Sequence, residues 1–343
     1  MMSKKYLNPT SSDKPQQPLS DDLISQCIDI DEGGYIQIYK PVIDKICILI
    51  DSVPAPGAEA FIKEYVSHPI PDEDDWMSHT GNNAGLKKYY YYAIACKSDD
   101  APDDPIILQA VPKNDDAPFL RLEFSPARLG KSNLNDALGN LDEAIFDKFI
   151  KIKDLIAKGR VSRIDVAVDM VGVRPADLIV NYLHPAKMHE YQGADGWPQT
   201  SYYGLGLSFK TSKKSGDITV YDKRHVNFHE GKPLLGDGAP HTRIECHFRK
   251  QMKFSELGNM ASPLGKIHVR AMRVEKLAGT PPEYRWFLEA CRSRGLARVL
   301  DGFDQSSKMH WLGIYNAYSQ DIWEPEVLWK DWLEILQSTG LLK

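Results

Sequence analysis

Tyr221 and Lys223, in the run Ile218-Thr219-Val220-Tyr221-Asp222-Lys223, and the carboxylates Asp165 and Glu245 are the residues whose types and spacing could do chemistry. Read as a strand, the run alternates. Thr219, Tyr221 and Lys223 are predicted on one face, and Ile218, Val220 and Asp222 on the other. In Val161–Met170 the same period sets Arg163, Asp165 and Asp169 opposite Ile164, Val166 and Val168. In Thr242–Lys250 it sets Arg243, Glu245, His247 and Arg249 opposite Ile244, Cys246 and Phe248. If these strands share a sheet, the apolar faces pack on helices and the other face gathers a tyrosine, a lysine, carboxylates and arginines. Such a face is equipped for phosphodiester chemistry. A tyrosine hydroxyl, with a free pKa of about 10, is a poor nucleophile. It needs a cation or metal to favour the phenolate and to offset charge growing on the phosphate. Asp165 and Glu245 are the expected ligands of a hard divalent ion, Mg²⁺ or Mn²⁺, and Lys223 the fixed positive charge.

Each assignment has a plainer counterpart. Tyr221 also reads as a strand tyrosine that packs. Tyr202 and Tyr203 lie near enough in sequence to serve as the nucleophile instead. Asp165 and Glu245 could instead be salt-bridged to Arg163 or Arg243. Asp165 and Asp169 are four residues apart, roughly 13 Å along a strand, too far to share one ion. His225 and His229 read as surface residues, whereas His247 shares the Glu245 face and, with Asp222, is expected to support the site. Arg163, Lys213, Lys214, Arg243, Arg249 and Lys250 are the candidate DNA contacts.

Taken in order, "SRIDVAVD", "ITVYDKR" and "TRIECHFRK" resemble the trans-acting rolling-circle replication initiators of small plasmids and filamentous phages. "TSYYGLGLSFKTSKKSGD", before the tyrosine strand, and "FLRLEFSPARLG" at 119–130 are similar to further segments of that family, so the resemblance covers roughly residues 40 to 255. It implies an enzyme that nicks one origin strand, with a strand tyrosine matching Tyr221 joined to the 5′ phosphate and a free 3′-hydroxyl left as primer. The reverse reaction would rejoin the strand. It also implies double- and single-stranded origin DNA, a host helicase and a host polymerase as partners, with either a monomer or a homodimer as the assembly, and the five cysteines are read as reduced thiols of a cytoplasmic protein. No His–apolar–His triplet occurs, which fits a family whose carboxylates replace that ligand pair. The alternatives are a non-cleaving copy-control or transcription regulator of the same fold and a conjugative relaxase-like protein.

The 343 residues suffice for one large or two medium domains. Residues 1–22, rich in Pro, Ser, Gln and Asp, are predicted to be a flexible tail without a secretory apolar segment. No run of about eighteen apolar residues predicts a membrane span. The five cysteines form no CxxC pair, so neither a disulfide framework nor a zinc ribbon is expected. The net charge is −5, but residues 1–150 hold 14 Lys+Arg against 25 Asp+Glu, whereas 201–300 hold 18 against 9. Positive charge thus concentrates around the tyrosine and glutamate strands, as a phosphate-binding surface requires.

Strands are predicted at 41–50, 86–96, 106–111 and 119–125, and helices at 58–67, 133–158 and 175–183. The absence of GxGxxG and GxxxxGK[ST] argues against a nucleotide-binding Rossmann or P-loop core. The expected class is α+β, a largely antiparallel sheet with packed helices like that of rolling-circle initiator nucleases. The nicking domain is expected over 23–251 and a mainly helical portion over 252–343, where Trp323, Trp329 and Trp332 are read as packing residues.

Overall fold

A computed structural model describes residues 23–30, 34–68, 77–79, 88–182, 187–191, 200–204, 217–229 and 239–342. The predicted tail, Lys213 and Lys214 lie outside the described residues. The chain enters through β1 (Ile24–Ile30) and β2 (Gly34–Tyr39), followed by β3 (Val42–Ile50) and helix α1 (Ala58–Ser67). Strands β4 (Met77–His79), β5 (Tyr90–Ser98), β6 (Ala101–Pro112) and β7 (Leu120–Phe124) lead to α2 (Pro126–Leu141) and α3 (Ile152–Lys158). Then come β8 (Arg160–Val171), β9 (Leu178–Tyr182), β10 (Lys187–Tyr191), β11 (Thr200–Gly204), β12 (Ile218–Asp222), α4 (Lys223–His229), β13 (His241–Phe248) and β14 (Met252–Lys253). The remainder holds β15 (Ile267–Met272), α5 (Val274–Leu277), α6 (Pro282–Arg294), α7 (Leu296–Leu300), α8 (Gln305–Tyr318), β16 (Ser319–Asp321), α9 (Pro325–Trp329) and α10 (Trp332–Ser338).

The molecule is α+β, built on a large antiparallel sheet in the order β10-β11-β12-β13-β8-β3-β7-β6-β5-β4, with β2 and β14 also paired to β8. The three motif strands are therefore direct neighbours, β12 beside β13 and β13 beside β8. Their alternation holds. Ile164, Val166, Val168, Ile218, Val220, Ile244 and Cys246 are all buried in one core. Fully burying a side chain of this size contributes about 1.5–3 kcal/mol, which fixes the strand faces, because a one-residue slip would turn every such side chain outward.

Helices α1, α2 and α3 belong to the same core. The stretch predicted as a helix over 133–158 carries an apolar stripe: Leu134, Leu138, Leu141, Ile145, Ile152, Leu155 and Ile156 are buried. The helix is not continuous, however. A π-helical turn, Asp142–Phe146, separates α2 from α3, and the Asp142 carboxylate accepts the backbone N–H of Ile152 at 2.6 Å. α2 also begins earlier, at Pro126, with a break at Gly130 (φ 70°, ψ 169°). The helix expected over 175–183 is a single 3₁₀ turn, Pro175–Asp177, followed by β9. Leu178, Ile179 and Val180 are all buried, so this strand lacks alternation and its apolar run mimics a helix.

β9 pairs with β15, and β15 with β16, in a second antiparallel sheet. From residue 252 onward the chain is mainly helical, but it is joined to the rest. Trp323, Leu328, Trp332 and Leu336 enter the main core. The indole N–H groups of Trp323, Trp329 and Trp332 donate to the carbonyls of Leu264, Met260 and Leu257. These tryptophans bury large apolar rings while their one polar atom stays satisfied.

Candidate functional site

The polar side of β8, β13 and β12 carries the site, because residues paired across antiparallel strands share a face. Tyr221 lies opposite Arg243, Thr219 opposite Glu245, and His247 opposite Asp165. The Tyr221 hydroxyl donates to Glu245 Oε1 at 2.6 Å. Burial, and then the charge of Glu245, push that hydroxyl above its usual range. Burial, followed by the nearby Asp44 charge, raises the Glu245 carboxyl as well. The pair is thus a phenol aimed at a carboxylate of raised proton affinity.

A second chain runs alongside. The Thr219 hydroxyl is 3.0 Å from His247 Nε2, and His247 Nδ1 is 3.0 Å from Asp165 Oδ1. Arg163 binds both Asp165 oxygens, through Nε at 2.9 Å and through its terminal nitrogen. Burial alone would raise the Asp165 carboxyl, but the hydrogen bonds of His247 and Arg163 outweigh it and hold the group below the usual aspartate range.

Deeper in, Arg243 is bidentate to Asp169 at 2.8 and 2.7 Å and reaches Asp44 at 2.8 Å. His241 Nε2 is 2.9 Å from the same Asp169. Burial opposes the Asp169 charge, yet Arg243 and His241 keep the carboxyl well below its usual range. Arg243, Asp169 and Asp44, paired in this way, form an internal ionic brace. The sequence signal for Asp169 was its shared face with Asp165. Asp44 gave none, because it lies where the β3–β8 register shifts between Ile43 and Lys45 and alternation fails.

Several residues sit elsewhere than expected. Lys223 is not on the tyrosine strand: β12 ends at Asp222 and Lys223 opens α4. The Asp222 carboxylate accepts the His225 backbone N–H at 2.9 Å, so it caps that helix and does not support the tyrosine. Lys223 Nζ nevertheless lies 6.0 Å from the centre of the Tyr221 ring. Burial, with the charge of Arg243, lowers its ammonium from the ordinary lysine value. Arg243, expected to touch DNA, is buried and consumed by Asp169 and Asp44. Arg163 keeps its side chain 34% exposed while holding Asp165. Arg249 and Lys250 are exposed beyond the end of β13 and remain available to phosphates. Of the alternative tyrosines, Tyr202 is in register with Thr219 and Tyr203 with Ile218, which puts position 202 on the polar side.

Asp165 and Glu245 do lie on one face of adjacent strands, but as Mg²⁺ or Mn²⁺ ligands they fit poorly. A cation at Asp165 would have to displace a bidentate guanidinium, and Glu245 Oε1 is held by Tyr221. Among the described residues no group of three or more His, Cys, Asp or Glu side chains is gathered that could hold a metal ion. Among them, too, no helix is long and apolar enough to cross a membrane. Neither a protein-family model nor a curated protein matches the chain.

Proposed function

We propose that this protein nicks and rejoins one strand of an origin DNA to start rolling-circle replication, with Tyr221 as nucleophile and Glu245 as its general base. The observation that carries this reading is the 2.6 Å hydrogen bond from the Tyr221 hydroxyl to Glu245. As the phenolic oxygen bonds to phosphorus, Glu245 takes its proton, and the phosphorus–O3′ bond breaks. The 3′-oxygen acquires a proton from water and becomes the primer hydroxyl for a host polymerase. Lys223 offsets charge on the phosphate oxygens. The phosphotyrosyl bond preserves the phosphodiester linkage, so attack by a 3′-hydroxyl, with Glu245 returning the proton, reseals the strand. Arg249, Lys250 and the exposed part of Arg163 provide contacts to the DNA backbone.

A second reading, a non-cleaving DNA-binding regulator, is favoured by the upward displacement of the Tyr221 hydroxyl and by the saturated ion pairs around it. Incubation with supercoiled DNA of the element that encodes the protein separates the two, run in parallel with Mg²⁺, with Mn²⁺ and with a chelator. Open circles carrying protein on a 5′ end are expected. Bound but uncut supercoils under all three conditions would establish the regulator.

A further inference from the structure

A cavity of about 550 Å³ opens where the first turn of α2, residues 39–43, α4 and α10 meet Asp169 and Arg243. We propose that it binds a nucleotide, with the phosphate held by Lys223 and Lys131. The inference stands on the cavity itself and does not require the cleavage reaction.

Lys223 lines this cavity and is only 6% exposed. Its ammonium makes no hydrogen bond or ion pair among the described residues, and the Tyr221 ring centre, 6.0 Å away, is its aromatic neighbour. A buried cation without a partner is costly, so a site that retains one is built for an anion. Arg243, on the same wall, cannot fill that role, because Asp169 and Asp44 occupy it. Lys40 is likewise taken, lying 3.6 Å from Asp331. Lys131 makes no ion pair among the described residues and is exposed on the cavity wall.

Lys131 also follows the break at Gly130, whose φ of 70° departs from helical geometry, so the helix restarts on the cavity wall. The positive end of the run 131–141 adds to the charge of the two lysines. The remaining wall is of a different kind. Tyr39, Ile43 and Ile335 offer apolar surface for a flat base. Glu334, from α10, can accept hydrogen bonds from an exocyclic amino group such as N4 of cytosine. The volume lies within the range of about 300–1,000 Å³ usual for small-ligand pockets.

Calorimetric titration of the full chain with deoxycytidine 5′-monophosphate, with deoxycytidine, and with a 5′-phosphorylated oligo-dC tests this. The phosphorylated probes should bind at least about tenfold more tightly than the nucleoside, the strength of a charge-assisted contact. Lys223→Met should weaken them by about tenfold or more. Lys131→Gln, at an exposed position, should also weaken them. Tyr221→Phe should bind as wild type even where it has lost cleavage, so failure of the nicking reaction would leave this result standing. Binding of the monophosphate alone identifies a free nucleotide as occupant, and binding of the oligonucleotide alone identifies a nucleotide within a strand. No binding of either phosphorylated probe overturns the proposal, as does equal binding of the nucleoside or undiminished binding by both lysine variants.

Discussion

Tyr221 and Glu245 stand on adjacent antiparallel strands, and the phenol of one donates to the carboxylate of the other across 2.6 Å. Thr219, not Tyr221, is the register partner of Glu245, so the contact is a diagonal one between long side chains on the same face. Tyr221→Phe removes only the donor. It should abolish the 5′-linked product while DNA binding persists in gel-shift titration. It should also cost about 1–3 kcal/mol, read as a lower denaturation midpoint, because a largely buried carboxylate loses its partner.

Glu245→Gln keeps an acceptor for Tyr221 but removes the base. Nicking should fall by roughly 10²–10⁴-fold, the usual worth of a general base. Because burial raises the Glu245 carboxyl, the wild-type rate should begin to fall, as pH is lowered, above the ordinary glutamate value. A rate–pH profile with that acid limb in the wild type and without it in Glu245→Gln is the expected result. An identical limb in both would assign it to another group.

The Arg243–Asp169 pair should dominate acid stability. Asp169 has a depressed folded-state pKa, so its contribution is present above the unfolded value of about 3.9 and is lost as pH falls below that toward the folded value. Asp169→Asn takes from Arg243 the carboxylate that it binds through two nitrogens, and from His241 its charged partner, in a buried place, and should cost about 3–5 kcal/mol at neutral pH. Its stability should then change less steeply than wild type below about pH 4. Urea melts at several pH values provide both numbers.

Gly172, just after β8, holds the entering hairpin against the site strands. Its φ is +98°, and a Cβ there would lie 2.3 Å from the Tyr35 carbonyl oxygen. Gly172→Ala should cost roughly 1–3 kcal/mol and push β2 away from β8. Thermal melting and faster proteolysis within residues 23–39 would show it. An unchanged melting temperature would mean that β2 yields freely.

The alternation of Val161–Met170, of Ile218–Lys223 as far as Asp222 and of Thr242–Lys250 as far as Phe248 was sufficient by itself to determine three strands and which of their side chains share the polar face. A period of two is a local property, and burial of one face enforces it. Asp165, Tyr221, Glu245 and His247 were legible for that reason. Partnership was not. Whether Asp165 meets a metal or Arg163, and whether Glu245 meets a metal or Tyr221, depends on distances between strands far apart in sequence. Asp44 and Arg243 are 199 residues apart, and the bulge that turns Asp44 inward leaves no periodic trace. Lys223 lost its strand position because the Asp222 cap stabilises a helix start there, a local competition that alternation alone does not weigh. β9 shows the same limit: its buried apolar run became a strand only because β15 was there to pair with it.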